Sequence, residues 1–417
     1  MTAVVDDNGD LPTAAYAAAL ACLPGVGPAW LAEVIVAHGP RQAWELVATG
    51  QLRQPARVRA GQKRAGWSDV ARYRDVGRLW AECVRSGIGV TWPSVAGYPA
   101  VLASGPAPAG VLFWAGDAAM LDGRPAVAVV GTRRCTPEGA EVAYRLGHDL
   151  SEAGVRVVSG LALGIDGAAH AGALAANRGS ATRDAAAADA FSPGSTVGVA
   201  ASGVDVVYPR RHVGLWRQVV RTGVVISETP PGLPAQAWRF PARNRIIAGL
   251  AQMVVVVECH ASGGSWHTVD AALRRGIEVG AVPGSVHSSA SVGTNTLLHE
   301  GATPVRGAQD VLDALGVFNS TPRGSHTREA HKTVGARRET GGTGAPVQAA
   351  QLRMLPDDPL CALEAKVLAA VGWQPRCLEE IIERSGLPVT AVVMSLEQLE
   401  QRGTITGEAG WWSRKSS

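Results

Sequence analysis

From Ala126 onward, short apolar runs alternate with longer stretches whose apolar positions recur every three or four residues. The runs at 126–131, 155–159, 196–201, 223–227, 253–258 and 277–282 are almost wholly apolar, as strands buried on both faces are. Amphipathic stretches at 137–153, 165–176, 211–221, 243–251, 264–275 and 294–300 fall among them and predict helices. This alternation predicts an α/β fold with a parallel sheet covered on both faces. Ligands of such sheets lie beyond the carboxyl ends of the strands, so the loops that follow strands are the ones to read for chemistry.

The flanks follow other patterns. Residues 13–50 read as helical, interrupted by Leu23-Pro24-Gly25-Val26-Gly27-Pro28. That is a helix-hairpin-helix pattern, whose turn amides either grip a nucleic-acid phosphate or simply join two helices. No Lys or Arg stands beside the turn. Residues 53–85 carry nine basic side chains against three acidic ones, among them Arg53, Arg57, Arg59, Lys63, Arg64, Arg72, Arg74 and Arg78. This is either an auxiliary nucleic-acid surface or a solvated helix face. Residues 177–195 read as an insertion, and 319–350, rich in Gly, Thr, Arg and His, as a linker. After Pro359, helices followed by a short hairpin around Trp411 and Trp412 predict a winged helix. The expected domains are an N-terminal helical domain at 1–90, the sheet domain at 91–317, a linker at 318–356 and the winged helix at 357–417.

Composition narrows the partners. Charged residues make up 18% of the 417 positions and the net charge is +3, so any surface for a polyanion must be local. Six scattered cysteines with no C-x-x-C pair fit a reducing cytoplasm and argue against both a disulfide framework and a structural zinc site. Cys259, His260 and His267 lack a fourth ligand, and neither metal nor cofactor is expected. No run reaches transmembrane length, and the start, with Asp6-Asp7, lacks the basic region of a signal peptide, so a cytoplasmic protein is expected.

The most informative stretch is Phe240-Pro241-Ala242-Arg243-Asn244-Arg245-Ile246-Ile247-Ala248-Gly249-Leu250. It sets an aromatic, two arginines and an asparagine where a helix begins. Helix N-termini attract phosphate, Arg243 and Arg245 add forked donors, and Phe240 offers a face on which a base can stack. Val129-Val130-Gly131-Thr132-Arg133 ends one strand with a backbone open to a ligand, a hydroxyl and a cation. Ser159-Gly160-Leu161-Ala162-Leu163-Gly164-Ile165-Asp166-Gly167-Ala168-Ala169-His170 ends the next, with Asp166 and His170 on one helix face, as a structural cap or an acid–base pair. Neither stretch is G-x-G-x-x-G, and no G-x-x-x-x-G-K-[ST] occurs, so dinucleotide and P-loop sites lack their signatures.

These stretches, with Gly203-Val204-Asp205-Val206-Val207-Tyr208-Pro209-Arg210-Arg211-His212, Ser227-Glu228, the run 281–285 and the run 293–302, resemble in order and spacing the DNA-processing protein family, DprA or Smf. The resemblance covers about 200 residues. It implies an extended Rossmann-like sheet between the helical front end (helix-hairpin-helix or SAM-like) and the winged helix. It further implies a dimer that binds and protects single-stranded DNA and loads the RecA recombinase onto it in natural transformation. By motif it carries Arg133, Ser159, Gly160, Phe240, Arg243, Asn244 and Arg245 into the DNA site, where Gly131 and Thr132 join them. The chain departs from the family pattern at Ser262-Gly263-Gly264-Ser265-Trp266-His267-Thr268.

Two functions remain to be separated. One is a DNA-binding module with no catalytic residue. The other is a nucleotide-binding protein or N-glycosidic hydrolase of Rossmann-like fold, which needs a positioned acid or base. No glutamate stands at the offset that such hydrolases use after their Gly-rich loop. That favours the binding module.

Overall fold

The computed structural model describes residues 10–52, 66–105, 107–121, 125–176, 196–317, 362–372, 376–387, 389–401, 404–408 and 411–414. The expected insertion at 177–195 and linker at 318–356 lie outside them, as do Arg53, Arg57, Arg59, Lys63 and Arg64. The chain divides into two compact units, Met1–Asn319 and Ser320–Ser417.

Helices open the first unit: α1 (Thr13–Ala21), α2 (Pro28–His38), α3 (Pro40–Ala48), α4 (Trp67–Tyr73) and α5 (Val76–Arg85). The turn between α1 and α2 forms the hairpin, with Gly25 at φ 71° and Pro28 opening α2, where its missing N–H costs nothing. Then come β1 (Gly89–Thr91), α6 (Ala100–Ala103) and β2 (Leu112–Gly116). The alternating region runs β3 (Ala126–Val130), α7 (Pro137–Glu152), β4 (Arg156–Ser159), α8 (Ile165–Ala176), β5 (Thr196–Val199), α9 (Val213–Thr222) and β6 (Val224–Ser227). It continues through α10 (Arg239–Leu250), β7 (Met253–Val256), α11 (Ser265–Leu273), β8 (Glu278–Ala281), α12 (Val292–His299), β9 (Thr303–Pro304) and α13 (Ala308–Ala314).

The sheet order is β1-β2-β6-β5-β4-β3-β7-β8-β9. From β6 to β9 every pairing is parallel, while β1 and β2 extend the β6 edge antiparallel. Strands are laid outward from β3 to β6, and α10 then carries the chain back to place β7 on the other side of β3. The strand order therefore reverses at β3, and the loops after β3 and β7 diverge there, which opens a crevice. Pattern reading overlooked β1, β2 and β9. Three-residue β1 and two-residue β9 are too short to show a period, and β2 belongs to an antiparallel edge outside the alternating region.

Along β3 the side chains alternate between two cores. Val127 and Val129 face Leu146, Leu150 and Ala169 of α7 and α8, whereas Ala126, Ala128 and Val130 face Ile246, Ile247 and Val269 of α10 and α11. A third core joins Leu20, Leu31, Trp44 and Trp80 of the opening helices to Phe113 and Val225 of the sheet. The expected boundary near residue 90 is thus not a break in packing.

The helix expected at 243–251 begins four residues earlier, at Arg239. Pro241 is tolerated there because N–H groups in the first turn have no intrahelical partner to lose. This places Arg243 and Arg245 one turn inside the helix, next to protein.

In the second unit, α14 (Ala362–Val371), α15 (Leu378–Ser385) and α16 (Val389–Gln401) enclose Val367, Ile381, Val392, Leu396 and Leu399. A small antiparallel sheet of β10 (Arg376–Cys377), β12 (Trp411–Arg414) and β11 (Ile405–Glu408) completes the winged helix. Trp412 packs on that core, as its place in the hairpin predicted. Among the described residues no helix is long and apolar enough to cross a membrane.

Candidate nucleic-acid interface

The crevice floor is built from the strand-end loops. Thr132 N–H donates to the Glu258 carbonyl at 2.8 Å, and the Thr132 carbonyl accepts from Ile165 N–H at 3.3 Å. Ser159 Oγ donates to the Val129 carbonyl at 2.6 Å and is fully buried. Gly131, expected to admit a ligand, and Gly160, carried into the site by motif, both admit the protein itself. A Cβ on Gly131 would sit 2.6 Å from Ile165 Cγ1 and 2.7 Å from the Glu258 carbonyl oxygen. One on Gly160 would sit 2.4 Å from Arg243 Nη1. Ser159 and Gly160 are therefore supports under the site.

Arg243 is only 6% exposed. Its Nη1 donates to the Gly160 carbonyl at 2.6 Å and also to the Val199 carbonyl, and Nε donates to Asn244 Oδ1 at 3.2 Å. Burial pushes its pKa down to about 10, against the favourable charge of Asp166, so it stays protonated at neutral pH. Asp166 is buried too and accepts from Gly160 N–H at 3.1 Å and Ala162 N–H at 3.4 Å. Burial raises its pKa, and Arg243 opposes the rise. Asn244 is buried, and its Nδ2 donates to the Gly264 carbonyl at 3.0 Å. The direct phosphate contact expected of Arg243 meets a physical obstacle, because its guanidinium already pins β4 and β5 to α10.

Arg245 is similarly engaged. Nη2 donates to Glu228 Oε1 at 2.5 Å, Nη1 donates to the Ala107 carbonyl at 2.7 Å, and both ion-pair partners are about four-fifths covered. A buried pair is disrupted only at large cost, so Arg245 is not a free donor to a phosphate as it stands.

What reaches solvent is an aromatic and cationic crest. Phe240 projects from the first turn of α10, half-buried, with the Arg133 guanidinium 4.7 Å from its ring centre. Tyr208, 46% exposed, tilts against the same ring at 5.5 Å between centroids. Arg134, Arg210 and Arg211 are exposed on the same strand-end loops. Tyr208 was missed as a site residue, although the available signal was an aromatic in the loop that follows a strand. Of the nine residues expected here, Arg133 and Phe240 form the accessible face and Thr132 is half-buried beside them. Ser159, Gly160, Arg243 and Asn244 are buried beneath, Gly131 packs against Ile165, and Arg245 turns onto Glu228.

The remaining candidates resolve into structure. Glu258 accepts from Thr136 N–H at 2.9 Å and from Thr136 Oγ1 at 2.5 Å. Its carboxylate thus fills the N-terminus of α7, where a dinucleotide fold would seat a pyrophosphate. Asp166 and His170 have different partners: the His170 ring meets Thr196 Oγ1 at 2.9 Å, and burial pushes its pKa down to about 3. Cys259 Sγ lies 3.0 Å from Ser265 Oγ, and burial raises its pKa. Trp266, the departure from the family pattern, packs into the core behind the sheet and donates to the His260 carbonyl at 3.2 Å. Among the described residues the one cluster of three possible metal ligands is His148, Asp149 and Glu152 on α7.

Comparison with known proteins identifies the lineage. The family described as DNA recombination-mediator protein A matches residues 90–316, and the DprA winged helix domain matches residues 353–410. The chain is 31% identical over 325 residues to protein Smf of Synechocystis, covering 75% of this chain and 76% of that one. It is 35% identical over 243 residues to the DNA processing protein DprA of Bacillus subtilis, covering 58% and 76%. The solved structure of DNA processing protein A from Streptococcus pneumoniae is similar with a TM-score of 0.57 at 29% identity, covering 72% of this chain and 95% of that one. The chain belongs to the DNA recombination-mediator protein A (DprA/Smf) family.

Proposed function

We propose that this member of the DprA/Smf family is a non-catalytic, single-stranded DNA-binding protein. The observation that carries the reading is the crest of Arg133, Phe240 and Tyr208 over the strand ends, with the buried charge of Arg243 beneath it. An exposed guanidinium on a half-buried ring suits a flexible strand. The base takes the ring and the cation moves to the phosphate beside it. Duplex DNA keeps its bases stacked inside and cannot offer one to Phe240.

Arg243, Asn244, Ser159 and Gly160 act as positioning residues. They hold the first turn of α10 against β4 and β5, and Arg243 contributes positive potential without touching the strand. Direct contacts come from Arg133, Thr132, Phe240 and Tyr208. Within the family's role in DNA processing, this chain protects single-stranded DNA in the cytoplasm and hands it to RecA, working as a homodimer.

The test is a comparison of single-stranded and duplex oligonucleotides at matched salt. Single strands bind more tightly, with little dependence on sequence, because no side chains here are arranged to read base edges. Equal or tighter binding to duplex would refute the proposal.

A further inference from the structure

Helix α10 opens with Trp238 as its cap, then Arg239 and Phe240. Trp238 already has helical backbone angles, and residues two apart on a helix point about 200° away from each other. Phe240 accordingly meets Tyr208 and Arg133, whereas Trp238 turns to the other side. There it stands at a cleft of about 780 Å³, whose lining also includes Leu23, Pro24, Gly25, Val26 and Pro28 of the hairpin turn.

Trp238 is 65% exposed, and both it and its neighbour are held in place. The indole Nε1 donates to Gln236 Oε1 at 2.8 Å. The Arg239 guanidinium lies 5.1 Å from the indole centre, and its Nη1 donates to the Pro234 carbonyl at 2.6 Å. A broad aromatic face, fixed at its edge and accompanied by a tethered cation, repeats the chemistry of the Phe240 crest. Arg239 and Arg243 line the cleft; buried Asp166 balances Arg243 and Arg245 balances the cleft's one carboxylate, Glu228, which leaves the charge of Arg239 uncompensated. The lining is therefore net positive and suits a polyanion.

We propose that this cleft is a second stacking subsite for the same single strand. One base lies on Trp238 while another lies on Phe240, so the strand saddles the first turn of α10. The backbone then passes the hairpin turn, whose Leu23, Pro24, Gly25, Val26 and Pro28 line the cleft. The inference rests on the preceding reading that the strand ends bind single-stranded DNA.

The experiment measures affinity for oligo(dT) across lengths of about 4 to 16 nucleotides, the span of common single-strand sites. In the intact protein, affinity rises when the strand becomes long enough to reach both aromatics. Trp238→Ala removes roughly five- to hundredfold of that gain, the range for loss of one stacked base, and Trp238→Phe restores most of it. Phe240→Ala weakens binding at every length. A 5-iododeoxyuridine strand cross-links to Trp238 only in the long complexes. If Trp238→Ala leaves the length dependence intact and no cross-link maps to Trp238, the second subsite is refuted while the strand-end site stands. If the intact protein binds no oligo(dT) at any length, the function itself is refuted and the subsite with it.

Discussion

Replacing Arg243 with alanine separates a residue that grips DNA from one that holds up the site. The guanidinium is nearly buried, bonds two strand-end carbonyls and faces buried Asp166. Its removal leaves that carboxylate without its counter-charge and the Gly160 and Val199 carbonyls without their donor. Breaking a buried pair in this way costs about 3–5 kcal/mol. A folded domain has only about 5–15 kcal/mol in total, so Arg243→Ala shifts the unfolding midpoint in urea strongly downward. The pH dependence carries a definite sign. Burial raises the folded pKa of Asp166 and Arg243 opposes the rise, so the variant raises it further. Between the unfolded and folded pKa values the native state then holds more protons, and stability falls as pH rises through that window. The loss relative to the parent is accordingly smaller near the acid end of the stable range than at neutral pH. Asp166→Asn in the Arg243→Met background recovers most of the loss, because the lone charge is gone. Urea titrations at several pH values, paired with salt-dependent binding to oligo(dT), check the reasoning. It would be falsified by a variant as stable as the parent whose salt slope drops by about 0.7, the signature of one lost phosphate contact.

Three further outcomes follow from the same geometry. Arg133→Ala lowers single-strand affinity and flattens the salt slope by about 0.7, while Tyr208→Ala lowers affinity with the slope unchanged, since stacking is not ionic; identical slopes for the two variants would contradict their assigned roles. Gly160→Ala destabilises by about 1–3 kcal/mol, because its methyl meets a guanidinium tethered to two carbonyls, and thermal unfolding reads the shift; an unchanged midpoint would contradict the close approach. A chain ending at Asn319 keeps single-strand affinity within a few-fold. Residues 357–417 carry nine acidic against six basic side chains, Glu400 on α16 is exposed, and Arg414 is bonded to the Leu368 carbonyl, so the winged helix suits a protein partner better than a phosphate wall. The side chain of Glu397, which also bears on that argument, lies outside the described residues. Loss of most binding in a folded truncated protein would overturn this assignment.

The sequence by itself determined six strands of the parallel sheet, β3 to β8. Short, valine-rich runs such as Met253–Val256 read as strands buried on both faces, and their alternation with amphipathic stretches leaves few topologies besides a parallel sheet with its site at the strand ends. It also pointed to the segments to read for chemistry, because Gly131-Thr132-Arg133 and Ser159-Gly160 fall where β3 and β4 end and Phe240 falls where α10 begins. What it left open was the direction in which each side chain points. Arg243 and Arg245 read as a phosphate clamp while α10 was expected to start at residue 243. A start at Arg239 turns one beneath the strand ends and the other onto Glu228. Whether a guanidinium meets solvent or a carbonyl depends on partners far away in the chain, such as Gly160 and Val199, and on the close approach that a missing Cβ allows. Tyr208 reaches Phe240 for the same reason, since only packing of the β5 loop over α10 brings the two rings together. Periodicity is a local property of the chain and fixes the elements, whereas the accessible face of a site is set by contacts between segments distant in sequence, which only the folded structure brings together.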